Sequence, residues 1–214
     1  FNSGYEEGEL LRSKRPVLEH ANVIGWFNGD KLVSQLSVYP CRVNIHGVTM
    51  RMGGLTGVGT YPEYANLGLM SELIKMGLSG MRERGEWISY LYPYSIPFYR
   101  KKGWEIMSER LTFTIQDSQL PKTREVPGYI ERLSVGHRHV RETYDRYARC
   151  NHGAMIRGQI EWEEYWRWAT EDERTAAVYY DAKSQPAGYL LYWIARDVFH
   201  VKEMIYLSQE ARTG

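Results

Sequence analysis

Short runs of alternating apolar and polar residues, separated by turn signals, fill the first third of the chain. The strands that this pattern predicts are Asn22–Phe27, Leu32–Tyr39, Cys41–Ile45 and Val48–Leu55. Tight-turn sequences, Asn28-Gly29-Asp30 and His46-Gly47, lie between consecutive runs. We therefore expect two antiparallel hairpins.

The hydrophobic period then changes to that of a helix. Apolar residues at helical spacing are Leu69, Met70, Leu73, Ile74 and Leu78. They predict a helix from about Leu67 to Arg84, with Gly85 as its C-terminal stop. Gly77 and Gly80 weaken such a helix, and we expect them to allow close packing on a sheet.

Strand and helix alternate once more after this helix. Trp87–Tyr92 predicts a buried strand, Pro97–Gly103 a short helix and Trp104–Ile115 a further strand. A strand–helix–strand order favours an α/β lobe with a parallel pair of strands, here around Val58 and Leu91.

Four glycines precede the long helix, and they give the first indication of a ligand-binding site. They are Gly53, Gly54, Gly57 and Gly59. We expect them to keep one strand face bare, so that a ligand can lie against the backbone. Asn66–Gly68 then opens a helix whose free N–H groups favour phosphate. A bare strand that leads into an anion-binding helix end suits a long cofactor with a pyrophosphate, such as coenzyme A.

Two segments carry a resemblance to a known family. GGLTGVGTYPEYANLGLMSELI, Gly53 to Ile74, resembles motif A of the GNAT superfamily of N-acetyltransferases, with the pattern R/Q-x-x-G-x-G/A. YPYSIPFYRKKGWE, Tyr92 to Glu105, is similar to the P-S-x-x-x-x-Y-x-x-x-G-[FYW] stretch of the enhanced-intracellular-survival (Eis) acetyltransferases. With NHGAMIR and WEEYWRW further on, the resemblance runs from about Ala21 to the last residue.

The resemblance implies an acetyl-CoA-dependent N-acetyltransferase and a set of site residues. The expected cofactor-binding residues are Val58, Gly59, Thr60, Asn66, Leu67, Gly68, Leu69 and Met70. Tyr99 occupies the motif position of the family's general acid, which protonates the departing thiolate. The alternative reading of Tyr99 is a core tyrosine on an amphipathic turn; the pattern Phe98-Tyr99-x-x-x-Gly103-Trp104 favours the functional one.

The chain departs from the family pattern at two places. Ala65, Asn66 and Leu67 stand where the family carries one to three arginines, so the side-chain cation is missing and only backbone N–H groups remain for the pyrophosphate. The serine of the P-S pair is displaced as well, because Tyr94 follows Pro93 and Ser95 comes one place later.

The second half of the chain repeats the order of elements of the first half. TAAVYYDAKSQPAGYLLYWIA predicts a hairpin, and FHVKEMIYLSQEARTG predicts a strand, a turn and the start of a helix. We expect a GNAT-type mixed-sheet lobe over residues 1–120 and a partial, degenerate GNAT-like lobe over residues 121–214, joined by a linker at Pro121–Pro127. Because Met204, Ile205 and Leu207 replace the strand glycines, the second lobe should bind no cofactor.

The ends of the sequence predict a piece of a longer protein, since Phe1 opens it without a methionine and KEMIYLSQEARTG stops where a helix should begin. In the Eis family the general base is the C-terminal carboxylate of a third, sterol-carrier-like domain, which has no counterpart here, so we assign no base. The resemblance implies aminoglycoside-like or lysine amines as acceptors and a homo-oligomer, commonly a hexamer.

Composition narrows the classes of partner and cellular compartment. The 27 basic and 26 acidic residues nearly balance, which argues against a nucleic-acid partner, and the basic runs at Arg100–Lys102 and Arg138–Arg149 are interpreted as solvated faces. No apolar run suits a bilayer span, so no membrane partner is expected. Two cysteines, Cys41 and Cys150, fit a reducing cytoplasm.

Other candidate sites are weaker. Cys150 and His152 are two positions apart and would not face each other on a helix, and His137 with His139 lacks further ligands, so no metal is expected. A helical cluster of Trp162, Tyr165, Trp166 and Trp168 is interpreted mainly as core, and Glu63 as a solvated turn residue. The alternative function is a non-catalytic acyl-CoA-binding or assembly module, which the missing motif arginines and the missing base favour.

Overall fold

A computed structural model of the chain describes residue 15 and residues 18–120, 125–162 and 174–213. The chain divides into two compact units, one formed by residues 1–107 and 155–165 and the other by residues 108–154 and 166–214. The predicted boundary after Leu120 stays a prediction, and the first four residues of the expected linker lie outside the described residues.

The first unit contains a four-stranded mixed sheet in the order β1-β2-β3-β4. Its elements are β1 (Asn22–Asn28), β2 (Lys31–Ile45), β3 (Val48–Thr60), α1 (Leu69–Glu83), β4 (Ile88–Leu91) and α2 (Ile96–Arg100). The first three strands are antiparallel neighbours, and β4 pairs with β3 in parallel after the α1 crossover. The predicted hairpins, crossover helix and parallel pairing are confirmed, although Leu91 pairs with Leu55 and the pairing ends before Val58.

Small residues let α1 approach the sheet closely. A Cβ at Gly53 would lie 2.0 Å from Met81 Sδ, and a Cβ at Gly77 would lie 3.3 Å from Leu36 Cδ1. Leu36, Leu73 and Met81 are buried in the resulting core. The prediction of close packing is confirmed for Gly77, whereas a Cβ at Gly80 would meet only the Arg84 side chain.

The opposite face of the sheet has a second core cluster of Cys41, Val43 and Met52. A later segment joins it, because Met155 forms a β-bridge with Val43 and Ile156 N–H donates to Arg42 C=O over 2.9 Å. Burial raises the pKa of the Cys41 thiol to about 12. These contacts explain why residues 155–165 belong to the first unit.

The second unit contains a four-stranded antiparallel sheet in the order β5-β6-β7-β8. Its elements are β5 (Tyr129–Leu133), α3 (Arg138–Cys150), β6 (Thr175–Tyr180), β7 (Pro186–Ala195), β8 (Val198–Tyr206) and α4 (Gln209–Thr213). The predicted hairpin of β6 and β7, and the strand, turn and helix of β8 and α4, are confirmed. None of the helices in the described part of the chain has the length and hydropathy that a bilayer span requires.

Several sequence predictions need correction. The two strands expected on either side of Pro40 are one continuous strand, β2, because Pro40 lies within its pairing with β3. No strand forms over the described residues 104–115. The long helix begins at Leu69 rather than Leu67.

One helix was missed altogether. The basic run Arg138–Arg149 forms most of α3, which buries Val140, Thr143, Tyr144 and Ala148 along one face. Charged residues are so frequent in this run that its narrow apolar stripe is difficult to recognise in the sequence. The interpretation of the whole run as a solvated face is therefore wrong for the four buried positions. For the predicted tryptophan cluster, Trp162 is buried, and residues 163–173 lie outside the described residues.

Candidate active site

The candidate site lies where β3 extends beyond the end of its parallel neighbour, β4. The pairing of β3 with β4 runs from Met52 opposite Ile88 to Leu55 opposite Leu91, where β4 ends. β3 continues to Thr60 and stays paired with β2 on its other edge. The stretch after Leu55 therefore presents a backbone edge that no described strand covers, beside the beginning of α1.

A β-bulge shapes this free stretch. Gln35 pairs with Gly59 and Ser37 with Thr56, so Leu36 lies opposite two residues of β3, Gly57 and Val58. Gly57 has a φ of 59°, in the left-handed region that glycine tolerates. The bulge redirects the last residues of β3 at the point where the strand leaves β4.

The glycines have different roles from the one expected. The prediction that all four leave one strand face bare is wrong for Gly53, whose face is filled by Met81, and for Gly54, which faces Cys41 on the other side of the sheet. Gly57 serves the bulge. Gly59 alone among the four has no heavy atom within 4 Å of a built Cβ.

A turn with two left-handed residues connects β3 to α1. Asn66 has a φ of 63° and Gly68 a φ of 81°, while Leu67 between them is 65% exposed. Gly68 is the N-cap of α1 and has no side chain to cap it. The first N–H groups of α1 therefore face the turn without a side-chain acceptor at the cap, as an anion site requires. Asn66, Leu67 and Gly68 precede the helix instead of forming its first turn.

A pocket of about 360 Å³ adjoins the end of β3, lined by Leu32, Val33, Ser34, Gln35, Gly59, Thr60, Tyr61 and Pro62. The polar side chains of its wall are held by hydrogen bonds within the protein. The Ser34 and Thr60 hydroxyl oxygens are 2.7 Å apart, and the Gln35 side-chain amide donates to Gly57 C=O over 3.4 Å. The sequence analysis missed Ser34 and Gln35, whose only signal was their polarity within an otherwise apolar strand.

Tyr99 lies in the same core cluster as part of β3. It is 4% exposed and belongs to a cluster that also contains Leu55, with Val58 and Met70 packed against it. Burial, followed by the effect of Tyr94, raises the pKa of the Tyr99 phenol above its usual value. The structure thus brings together three of the predicted site residues, Tyr99, Val58 and Met70.

The short helix α2 holds Tyr99 by aromatic packing. The Tyr99 ring makes edge contacts with Tyr94, Phe98 and Trp104, with centroids 5.6, 5.1 and 6.0 Å away. The displaced Ser95 is the N-cap, and its hydroxyl accepts from Phe98 N–H over 3.4 Å. Ser95 therefore still caps the helix, although it lies one position later than the serine of the family pattern.

Glu63 is paired within the chain. Its carboxylate accepts from Lys31 Nζ over 3.0 Å, and that ammonium also lies 4.8 Å from the Tyr61 ring centroid and 5.6 Å from that of Tyr64. The hydrogen bond raises the pKa of Lys31, and both side chains remain about half exposed. The contact ties the β1–β2 turn to the loop before α1.

The other candidate residues do not assemble into a site. Cys150 is exposed at the end of α3. His139 Nδ1 lies 2.6 Å from the Tyr180 hydroxyl, and His137 Nδ1 accepts from His139 N–H. Within the described ranges, no group of three or more His, Cys, Asp or Glu side chains is arranged to hold a metal ion.

Comparison with known families agrees with this arrangement of strand, turn and helix. Residues 1–107 match an acetyltransferase (GNAT) domain family, and residues 153–214 match a second acetyltransferase (GNAT) domain family. The chain belongs to the GNAT acetyltransferases. Two GNAT-like lobes and a mixed α/β fold are therefore confirmed. No curated protein is significantly similar to this GNAT chain in sequence.

Solved structures give the same fold. A protein of Enterococcus faecalis V583 described as a "Probable N-Acyltransferase" is 31% identical, with a TM-score of 0.84 over 98% of this chain and 54% of that one. A GCN5-related N-acetyltransferase from Kribbella flavida is 23% identical, with a TM-score of 0.75 over 97% and 52%. Eis1 from Mycobacterium abscessus is 20% identical, with a TM-score of 0.76 over 97% and 57%. The GNAT chain thus spans about half the length of these relatives.

The bulge gives a stability prediction. Gly57→Ala should destabilise the protein by about 1–2 kcal/mol, because alanine resists the left-handed conformation and its Cβ would lie 3.0 Å from Ser37 Oγ. Gly59→Ala, with open space around the added methyl, is the control and should change stability by less than about 0.5 kcal/mol. Urea unfolding followed by tryptophan fluorescence measures both; equal midpoints for the two variants would contradict this account of the bulge.

Proposed function

We propose that the protein is an acetyl-CoA-dependent N-acetyltransferase of the Eis type that transfers acetyl to primary amines. GNAT acetyltransferase domains imply an acyl-CoA cosubstrate and acyl transfer. The observation that carries the proposal for this chain is the free, bulged end of β3 beside the start of α1, with Tyr99 in the same core cluster.

The proposed cofactor position follows the backbone. Coenzyme A would lie along Leu55–Thr60, where no described strand pairs with one edge of β3 after Leu55 and where Gly59 carries no side chain. Its pyrophosphate would lie over Asn66–Met70, at the uncapped N-terminus of α1. The cofactor supplies an activated thioester, and the free backbone edge of β3 supplies N–H donors that polarise its carbonyl.

Tyr99 is the proposed general acid. When the amine nitrogen has attacked the thioester carbon and the carbon–sulfur bond breaks, the phenol O–H gives its proton to the departing thiolate. A tyrosine phenol ordinarily titrates at about pH 10 and therefore holds its proton at neutral pH. Burial raises the pKa of the Tyr99 phenol further. The amine must lose a proton as well, and we assign that step to no residue of this chain.

The acceptor and the assembly are further parts of the proposal. The Eis resemblance supports aminoglycoside-like amines or lysine side chains as acceptors and a homo-oligomer, commonly a hexamer. The low cysteine content supports a cytoplasmic location, and the bulky Met204, Ile205 and Leu207 support a second lobe without cofactor. A non-catalytic acyl-CoA-binding module is the second candidate function, because Ala65, Asn66 and Leu67 leave the turn without the motif arginines. The burial of Tyr99 in the same cluster as Val58 favours the enzyme.

Amide chemical shifts on titration with coenzyme A test the placement. We expect changes at Leu55–Thr60 and Asn66–Met70, because backbone N–H groups are the proposed donors. The strand β8 is the internal control, since Met204, Ile205 and Leu207 occupy the comparable stretch. Shifts confined to the second unit would overturn the placement.

An added cation near the turn should strengthen cofactor binding. Leu67→Arg should increase the affinity for coenzyme A by about fivefold, since one charge-assisted phosphate contact in a partly hydrated site contributes roughly 1 kcal/mol. Ala65→Arg should act in the same direction. Calorimetry measures the dissociation constants. With Leu67→Gln as the uncharged control, equal affinities for the arginine and glutamine variants would show that charge at this turn is irrelevant.

Removal of the Tyr99 hydroxyl should lower turnover and leave cofactor affinity nearly unchanged. In the full-length enzyme, Tyr99→Phe should lower turnover by about 10²-fold or more, because a positioned proton donor typically contributes 10²–10⁴-fold. Cofactor affinity should stay nearly unchanged, since the ring and its packing remain. Tyr92→Phe, at a ring that is 92% exposed, is the matched control.

Kinetics at saturating acetyl-CoA, together with a separate binding isotherm, distinguish the two effects. Wild-type turnover in the Tyr99→Phe variant would make Tyr99 a packing residue of the core, and the amphipathic-turn interpretation of its motif would then be correct.

A further inference from the structure

Lys102 lies at the first turn of α1, although it belongs to the loop after α2. Its Nζ donates to Ser71 Oγ over 2.7 Å, and Ser71 is the third residue of α1. The same ammonium lies 5.8 Å from the centroid of the Phe98 ring. Lys102 is half-buried, so its side chain has a defined position beside the helix end rather than extending freely into water.

The electrostatics of this position are unfavourable by themselves. The N-terminus of a helix carries roughly half a positive charge, and a cation beside it is repelled. Ser71 offers only a neutral oxygen, and Phe98 only the face of its ring. Within the described residues, no carboxylate lies close enough to form an ion pair with Lys102.

Two neighbouring cations are paired with carboxylates. Arg100 forms a bidentate pair with Glu105, and Lys75 pairs with Glu72 over 2.7 Å on the side of the same helix. At Lys102 the arrangement differs: an ammonium group and the first N–H groups of α1 are both near the uncapped turn at Gly68. An anion placed between them would satisfy both.

We propose that Lys102 supplies the cationic contact to the cofactor diphosphate that the motif arginines supply elsewhere in the family. The inference rests on the proposed function, because it takes coenzyme A as the ligand at this turn. Ser71 is then a positioning residue, which holds the lysine toward the helix end. The replacement of the arginines by Ala65, Asn66 and Leu67 is compensated from a segment about 35 residues further along the chain.

Calorimetric titrations of the 214-residue chain with coenzyme A and with 3′-dephospho-coenzyme A test this assignment. Lys102→Gln should weaken the binding of both compounds by about tenfold to 100-fold, the size of one charge-assisted contact. Lys102→Arg should retain most of the affinity. Lys75→Gln removes an equal charge one helical turn away and should change the affinity by less than about twofold.

Each alternative gives a different result. An equal loss for Lys75→Gln and Lys102→Gln would overturn the assignment, since it would reflect net charge alone. A loss for coenzyme A but not for the dephospho compound would overturn the diphosphate contact and place Lys102 at the 3′-phosphate. Unchanged binding in Lys102→Gln, with an unchanged unfolding temperature, would also refute it. If the wild-type chain failed to bind coenzyme A, the proposed function itself would fall.

Discussion

The arrangement of the first unit depends on a mismatch in strand length. β4 ends at Leu91, whereas β3 continues past Leu55 to Thr60. A strand edge left without a partner in a protein interior would cost the free energy of its unmet hydrogen bonds, so such an edge persists where water or a ligand reaches it. The bulge at Gly57 adds to this divergence, since bulges bend the strand that carries them.

The core of this unit fixes the elements around that free edge. Close contact of Met81 with the strand at Gly53 sets the distance of α1 from the sheet. Tyr99 packs into the same cluster from α2, with Leu73 and Ile74 from α1. A site built from backbone edges and one buried ring therefore derives its rigidity from hydrophobic packing, and few of its parts depend on exposed side chains.

The second unit has the same order of hairpin, strand, turn and helix, with different details. The bulge of β8 falls at Lys202, in the middle of the strand, because Leu191 pairs with Glu203 and Tyr192 with Val201. Ile205 is buried where the first unit has small residues, and the turn before α4 contains no glycine. Repetition of a fold thus does not repeat its local strand and turn geometry.

The sequence alone determined the elements that depend on local signals. Alternation, turn residues and helical spacing predicted the hairpins, α1 and the parallel crossover, and two motifs predicted the family. Local signals could not reveal that residues 104–115 form no strand, since strand pairing depends on an available neighbour. The tertiary structure also decided that Gly53 is a packing position and Gly57 a bulge, and it placed Lys102 beside Ser71. Contacts between residues far apart in the chain form only when the fold brings them together, so no pattern of neighbouring residues records them.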